Sequence, residues 1–300
     1  MTRLLRKQAA IRSAVRRGLL GPERPVGMFF DLDDFTEQIR ALKEAFPPNF
    51  EHCMAVKAQP TRRIMERAVA EGLGLECASI GELTQALRTG CAPSRIVFDS
   101  PIKTEAELRL ALERGVPFNI DNWQELDRVV ALGGGTSAPI GLRINPQVGA
   151  GDNAALSTGT ATSKFGIGLE DDREAIVNAY RKYPWLTMAH IHTGSQGVSF
   201  ELAARGIRRV VDLVLDVNRE LAAQQQQQQE QQIRTLDIGG GVSVNFASEA
   251  ITPTFAAYAA QLKGCARVSA LQRPCLLAAI TVRRLAMCPF SLLQSAPLDY

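Results

Sequence analysis

From Phe29 onward the chain alternates short runs of β-forming residues with longer segments of helical period, and this alternation constrains the fold more than any other feature. The strand candidates are Phe29 to Leu32, Glu51 to Ala58, Gly74 to Ser79, Arg95 to Ser100, Phe118 to Asn122, Pro139 to Asn145, Thr187 to Gly194 and Thr235 to Gly241, each followed by a helix candidate. Asp34 can cap the helix that carries Phe35, Ile39, Leu42 and Phe46 on one side. Leu83, Ala86 and Leu87 mark a second helical face, Leu108, Ala111 and Leu112 a third, and Leu126, Val129 and Val130 a fourth. Strands separated by helices build a parallel sheet, and the continuous apolar character of several of them implies that both faces are covered. Seven strands lie between Glu51 and Gly241, and Cys275 to Val282 offers an eighth. That count favours a closed (β/α)8 TIM barrel over an open Rossmann-type sheet, and 300 residues leave room for the roughly 250 that a barrel uses.

Composition removes several classes of function. A hydrophobic fraction of 46% and a charged fraction of 22% are those of a globular protein, and a net charge of +3 is too small to argue for nucleic acid. No apolar run reaches membrane-spanning length, so no membrane partner is expected. The cysteines at 53, 77, 91, 265, 275 and 288 include no Cys-x-x-Cys pair and follow no secretory signal, which reads as reduced thiols in a cytoplasmic protein. Residues 1–25 carry Arg3, Arg6, Lys7, Arg12, Arg16 and Arg17 with no acid before Glu23. They read as an organelle-targeting segment or as a surface helix ending near Gly18 or Gly21.

In a barrel of this kind function sits at the C-terminal ends of the strands. The residues placed there are Lys57, Glu76 with Ser79, Asp99 with Ser100, Asp121 with Asn122, Arg143 with Asn145, His192 with Ser195, and Gly239, Gly240 and Gly241. Lys57 ends the apolar run Cys53-Met54-Ala55-Val56, and Pro60 closes the strand after it. A desolvated ammonium has its pKa pulled down toward the range where the neutral amine is a nucleophile, the chemistry of a Schiff-base lysine. The alternative is a strand-end lysine that snorkels to solvent. Leu236-Asp237-Ile238-Gly239-Gly240-Gly241 runs a strand into side-chain-free amides that can cradle an anion, or into a tight turn with no ligand. It is neither a P-loop nor a dinucleotide fingerprint.

His190 and His192 stand at strand spacing, but His52 is the only other histidine and no carboxylate cluster completes a metal site, so no metal is expected. A histidine beside a Gly-Ser turn is better suited to stacking on a planar ligand. Gln147 to Gly168 has the length and composition of a functional loop. The tract Gln224 to Gln229, with Gln231 and Gln232, reads as an expansion in a surface connection. A Schiff-base lysine together with a phosphate cradle is what pyridoxal phosphate requires.

The motifs Phe29-Phe30-Asp31-Leu32-Asp33, Ala55-Val56-Lys57-Ala58, Gly81-Glu82-Leu83, Leu142-Arg143-Ile144-Asn145-Pro146, Ser157-Thr158-Gly159, Ser163-Lys164-Phe165-Gly166-Ile167, His190-Ile191-His192-Thr193-Gly194-Ser195-Gln196 and Asp237-Ile238-Gly239-Gly240-Gly241 stand in one order. In that order the chain resembles the diaminopimelate/ornithine/arginine decarboxylases, fold-type III pyridoxal phosphate enzymes, and most of all their diaminopimelate branch. The resemblance implies an alanine-racemase-like barrel over residues 26–263. It also implies pyridoxal phosphate bound as a Schiff base on Lys57, His192 stacked on its ring, and Ser195 with the amides of Gly239, Gly240 and Gly241 at its phosphate. Arg143 and Glu76 match polar positions lining the family's cofactor pocket. The implied reaction is decarboxylation of a small amino acid, and intact members are homodimers.

The chain departs from the family after about Leu262. The Glu-Pro-Gly-Arg motif that ends the family's eighth strand has no counterpart, and Ile280-Thr281-Val282-Arg283-Arg284 stands near its place. Residues 264–300 have no room for the family's β-rich second domain, and Cys288 does not match its cysteine motif. The barrel is therefore expected to be truncated, with 264–300 a divergent tail containing at most the last strand. A catalytically inactive member acting as a cofactor-binding or regulatory module is the alternative to an active decarboxylase.

Overall fold

A computed structural model describes residues 3–135, 137–149, 158–194, 196–225, 232–248, 250–264, 275–280 and 286–289. The chain divides into two compact units, Met1–Arg40 with Val282–Tyr300, and Ala41–Thr281. The smaller contains α1 (Arg3–Arg16), β1 (Val26–Phe29) and β11 (Ala286–Pro289), whose two strands pair antiparallel with Val26 opposite Pro289. At the start of α2 (Leu32–Ala45) the cap is Asp31 rather than Asp34. Its Oδ1 accepts the Asp34 amide at 3.0 Å, and its other oxygen takes the Arg6 Nε hydrogen at 2.8 Å. Phe35, Ile39, Leu42 and Phe46 are all buried, as their spacing requires.

The larger unit is the barrel. Its elements are β2 (Phe50–Ala55), α3 (Arg62–Ala70), β3 (Gly74–Cys77), α4 (Ile80–Arg88), β4 (Ile96–Phe98), α5 (Glu105–Arg114), β5 (Phe118–Ile120), α6 (Trp123–Ala131), β6 (Ile140–Asn145), the short β7 (Ile167–Gly168), α7 (Arg173–Lys182), β8 (Leu186–His190), α8 (Phe200–Gln225), β9 (Thr235–Asp237), α9 (Phe255–Gly264) and β10 (Cys275–Ile280). The strands are hydrogen-bonded in the order β5-β4-β3-β2-β10-β9-β8-β6, all parallel, and β5 also pairs with β6, so the sheet closes on itself. β7 adds to the end of β6, with Ile144 opposite Ile167. Every residue of β3 and β6 is buried, which is the signature of strands covered on both faces.

Local chemistry starts the helices where the strands need to turn back. Ser79 accepts the Glu82 amide, Asn122 accepts the Glu125 amide, and Thr104 with Glu107 forms a complete capping box. The ladders stop short of the β-rich runs in the sequence: β2 ends at Ala55 and passes into a 3-10 turn over Val56–Ala58, β8 ends at His190, and β9 ends at Asp237. The third case has a simple cause, because Gly239 has φ of 66° and cannot extend a strand. Among the described residues no helix is long and apolar enough to cross a membrane.

One ion pair is fully buried in the barrel wall. Lys103 donates to the Ser100 carbonyl at 2.7 Å, the Asn119 carbonyl at 2.6 Å and Glu125 Oε1 at 2.5 Å, which uses all of its ammonium hydrogens. Both side chains are 0% exposed, so the pair fastens the loop after β4 to the start of α6 where water cannot compete. Lys103→Met should leave Glu125 without its hydrogen-bonded cation and lower unfolding free energy by about 3–5 kcal/mol in urea titrations. Replacing Glu125 by Leu in the same chain should recover most of the loss, because no charge then remains unpaired.

Candidate active site

The early strand ends place the polar residues on the loops just above the ladder. Lys57, in the turn after β2, puts Nζ 3.0 and 3.1 Å from the two carboxylate oxygens of Glu76 on β3. The lysine side chain is 47% exposed while that of Glu76 is 3% exposed, so the amine stands at the opening and the acid beneath it. This overturns the expectation of a depressed lysine pKa. Burial does pull the ammonium down, but the Glu76 and Asp99 carboxylates outweigh it and hold Lys57 above its ordinary value.

Arg143 on β6 is buried, with Nη1 3.3 Å from Asp121 Oδ1 and 3.9 Å from Asp99 Oδ2. Its guanidinium lies over the Phe165 ring at 4.9 Å. Deeper in the barrel, His190 puts Nδ1 3.2 Å from Asp99 Oδ1 and Nε2 4.0 Å from Asp237 Oδ2. Burial drives this imidazole down to about 3, so it is neutral at physiological pH. Asp237 accepts the Gly239 amide at 2.9 Å and, across the barrel interior, the Asn119 side-chain amide at 3.0 Å. Burial, with Asp99 nearby, raises its carboxyl to about 8. Asn119 in turn requires glycine beside it on β6, since a Cβ at Gly141 would lie 2.6 Å from Asn119 Oδ1.

The two histidines therefore have different roles, and the strand-spacing argument that paired them does not hold. His192 lies past the end of β8, where its Nδ1 accepts the Gly240 amide at 3.2 Å. An acceptor Nδ1 assigns the imidazole proton to Nε2, and burial followed by the Arg143 and Lys57 charges holds the ring well below its ordinary pKa. A Cβ at Gly239 would lie 2.4 Å from the Ile191 carbonyl and 2.7 Å from His192 Nδ1, so the glycine turn and the histidine turn pack backbone to backbone. Gln196 clasps the same two turns, donating to the Val244 carbonyl and accepting the Val244 amide, both at 2.8 Å. The Thr158 hydroxyl donates to the His192 carbonyl. Ser195 and Ser157 lie outside the described residues.

Of the residues singled out in the sequence, Lys57, Glu76, Arg143, His192, Gly239, Gly240 and Gly241 belong to loops or strand ends on one side of the barrel. The Gly239 and Gly240 amides are already held by Asp237 and His192. Asp99, His190 and Asp237 form a buried acid–imidazole–acid row that motif reading did not assemble; its signal was an unusual density of ionisable residues at strand ends. Among the described residues no group of three or more His, Cys, Asp or Glu side chains is arranged to hold a metal.

The family model described as "Pyridoxal-dependent decarboxylase, pyridoxal binding domain" matches residues 32–272. A diaminopimelate decarboxylase of Zymomonas mobilis is 36% identical over 207 residues, covering 66% of this chain and 46% of that protein. The chain spans about half the length of the curated relatives it matches. The crystal structure of diaminopimelate decarboxylase from Helicobacter pylori complexed with L-lysine superposes with a TM-score of 0.71 at 26% identity, over 85% of this chain and 63% of that one. The lysine/ornithine decarboxylase of Vibrio vulnificus complexed with putrescine shares the fold, with a TM-score of 0.69 at 23% identity, over 90% of this chain and 66% of that one.

The buried acid on β9 has a measurable signature. A carboxyl raised to about 8 in the folded chain favours folding while it stays protonated, and its contribution is lost as pH rises from the unfolded carboxylate range through 8. Asp237→Asn should therefore be more stable than the parent at about pH 8, with the difference closing toward about pH 4 in urea unfolding.

Proposed function

This chain belongs to the pyridoxal-dependent decarboxylases, and from that premise we propose that it holds pyridoxal phosphate on Lys57 and removes a carboxyl group from diaminopimelate or a similar small amino acid. The observation that carries the reading is the half-exposed Lys57 amine paired with buried Glu76 at the end of β2. The residues present fit the cofactor. The site offers a primary amine for an aldehyde, a neutral imidazole on His192, a buried arginine, and a glycine turn in which a Cβ at Gly239 would meet the Ile191 backbone. In this reading the phosphate goes to Ser195 with the turn Gly239, Gly240 and Gly241; the Gly239 and Gly240 amides are held by Asp237 and His192, which leaves the Gly241 amide for it.

When bound, pyridoxal phosphate supplies an electron sink that allows the bond between Cα and a carboxylate to break. The chain's own residues prepare the site for it. Glu76 orients Lys57 and takes up or returns protons at Nζ, the two groups lying within hydrogen-bond distance for direct transfer. His192, kept neutral by burial and fixed by the Gly240 amide, carries its proton on Nε2 and leaves the ring uncharged. Arg143, anchored on Asp121 and lying over the Phe165 ring, is a buried guanidinium on the same side of the barrel.

The reading is tested by absorbance of the purified chain with added pyridoxal phosphate, borohydride reduction and peptide mapping. The label is expected on Lys57 and should fall to background in Lys57→Ala. A folded chain that takes no label would overturn the proposal. Carbon dioxide release from diaminopimelate by the same preparation tests the reaction, and cofactor capture without it would leave the chain a pyridoxal-phosphate-binding module.

A further inference from the structure

The turn that carries His192 is gripped from two sides. On one, a Cβ at Gly239 would meet the Ile191 carbonyl, and Gly240 donates its amide to His192 Nδ1. On the other, the long loop after β6 returns at Thr158, whose amide donates to the Thr193 carbonyl at 3.1 Å and whose hydroxyl donates to the His192 carbonyl. Two consecutive carbonyls of the turn therefore take both donors of one residue. Gly159 follows in van der Waals contact, a Cβ there lying 3.7 Å from Thr193 Cα. Gly206 on α8 packs closer still, since a Cβ at that position would lie 2.7 Å from Thr193 Cγ2.

The loop is also fastened where it leaves β6. The Asn145 side-chain amide donates to the Thr160 carbonyl at 2.8 Å, and the Gly149 amide to the Gly159 carbonyl at 3.3 Å. Thr158 is thus a bracket between the end of β6 and the turn after β8. A β-branched side chain suits that place, because its restricted χ1 keeps the hydroxyl aimed at one acceptor.

We propose that Thr158 is a positioning residue: its hydroxyl and amide hold the turn of His192 and Thr193 so that the His192 imidazole stays against the Gly240 amide. Its part in cofactor binding rests on the reading of His192 and the glycine turn as the pyridoxal phosphate site. A flat ring stacks well only on an imidazole whose plane is fixed beforehand. Without the hydroxyl, the peptide of His192 is free to rotate and carries the ring with it. The Thr158 amide bond remains in such a variant, so the effect falls on the turn and leaves the barrel folded.

The experiment reads the Gly240 amide by hydrogen exchange in the cofactor-free chain, against the Phe98 amide, which donates to the Pro117 carbonyl at 2.9 Å elsewhere in the barrel. Thr158→Val keeps the shape and removes the hydroxyl; one hydrogen bond changes local opening about fivefold, so Gly240 should exchange about fivefold faster while Phe98 stays within about twofold. Thr158→Ser restores the donor and should bring Gly240 back to within about twofold of the parent. Thr158→Ala is measured alongside in case the valine variant does not fold. Parent-like Gly240 exchange in a folded chain without the hydroxyl would overturn the inference, as would a serine variant as fast as the valine one. An equal rise at Phe98 would also overturn it, because the whole barrel would then have loosened. A second arm titrates pyridoxal phosphate by absorbance, and half-saturation should need about fivefold more cofactor in Thr158→Val but not in Thr158→Ser. Equal half-saturation in the parent and Thr158→Val would overturn the role toward the cofactor. If the parent takes up no cofactor while Gly240 exchange still differs, the cofactor reading fails and the positioning role of Thr158 stands.

Discussion

Closure of the parallel sheet is the constraint on which the rest of this structure depends. β5 pairs with β6, and β10 sits between β2 and β9, so among the described residues the parallel ladder has no open edge. Polar side chains that point inward must then find one another. Asn119 and Asp237 do so across the ring, although they are 118 residues apart in sequence. The same closure brings Lys57, Arg143 and His192 to one side of the barrel, from strands that share no local sequence.

The charges in this enclosure are decided by a contest between burial and opposite charge. Burial is the largest single influence on both Lys57 and His190. For Lys57 the combined carboxylates of Glu76 and Asp99 exceed it, and the ammonium is held up. For His190, buried outright, the one acid at 3.2 Å does not, and the ring stays neutral. Asp237 follows the same rule from the acid side, since its two hydrogen bonds do not offset its burial. The outcome is an ammonium held at the opening, with a neutral imidazole at His190 and a raised carboxyl at Asp237 deeper in the barrel.

Much of this was legible in the chain. The eight barrel strands followed from periodicity, because the side chains of a strand covered on both faces must be apolar in an unbroken run. The first strand, by contrast, lies at Val26–Phe29 rather than Phe29 to Leu32, and β7 and β11 were not read. Lys57 stood out as a lysine ending such a run, and the three glycines after Asp237 as backbone freed for close approach. The strand ends were misjudged by a few residues, since a β-rich run continues past the point where the neighbouring strand stops offering partners. Asp34 was taken for a cap that Asp31 provides, because the Asp31 carboxylate reaches the amide three residues on.

What sequence alone determined was therefore period, backbone freedom and residue type: the barrel, the lone lysine and the glycine turn. Tertiary structure decided which groups met and what charge they carried. It raised Lys57 where isolation suggested a depressed pKa, separated His190 from His192, and gave the Gly239 and Gly240 amides internal acceptors. Periodicity is encoded between neighbours a few residues apart, whereas desolvation and partner charge arise only once ring closure sets distant residues side by side.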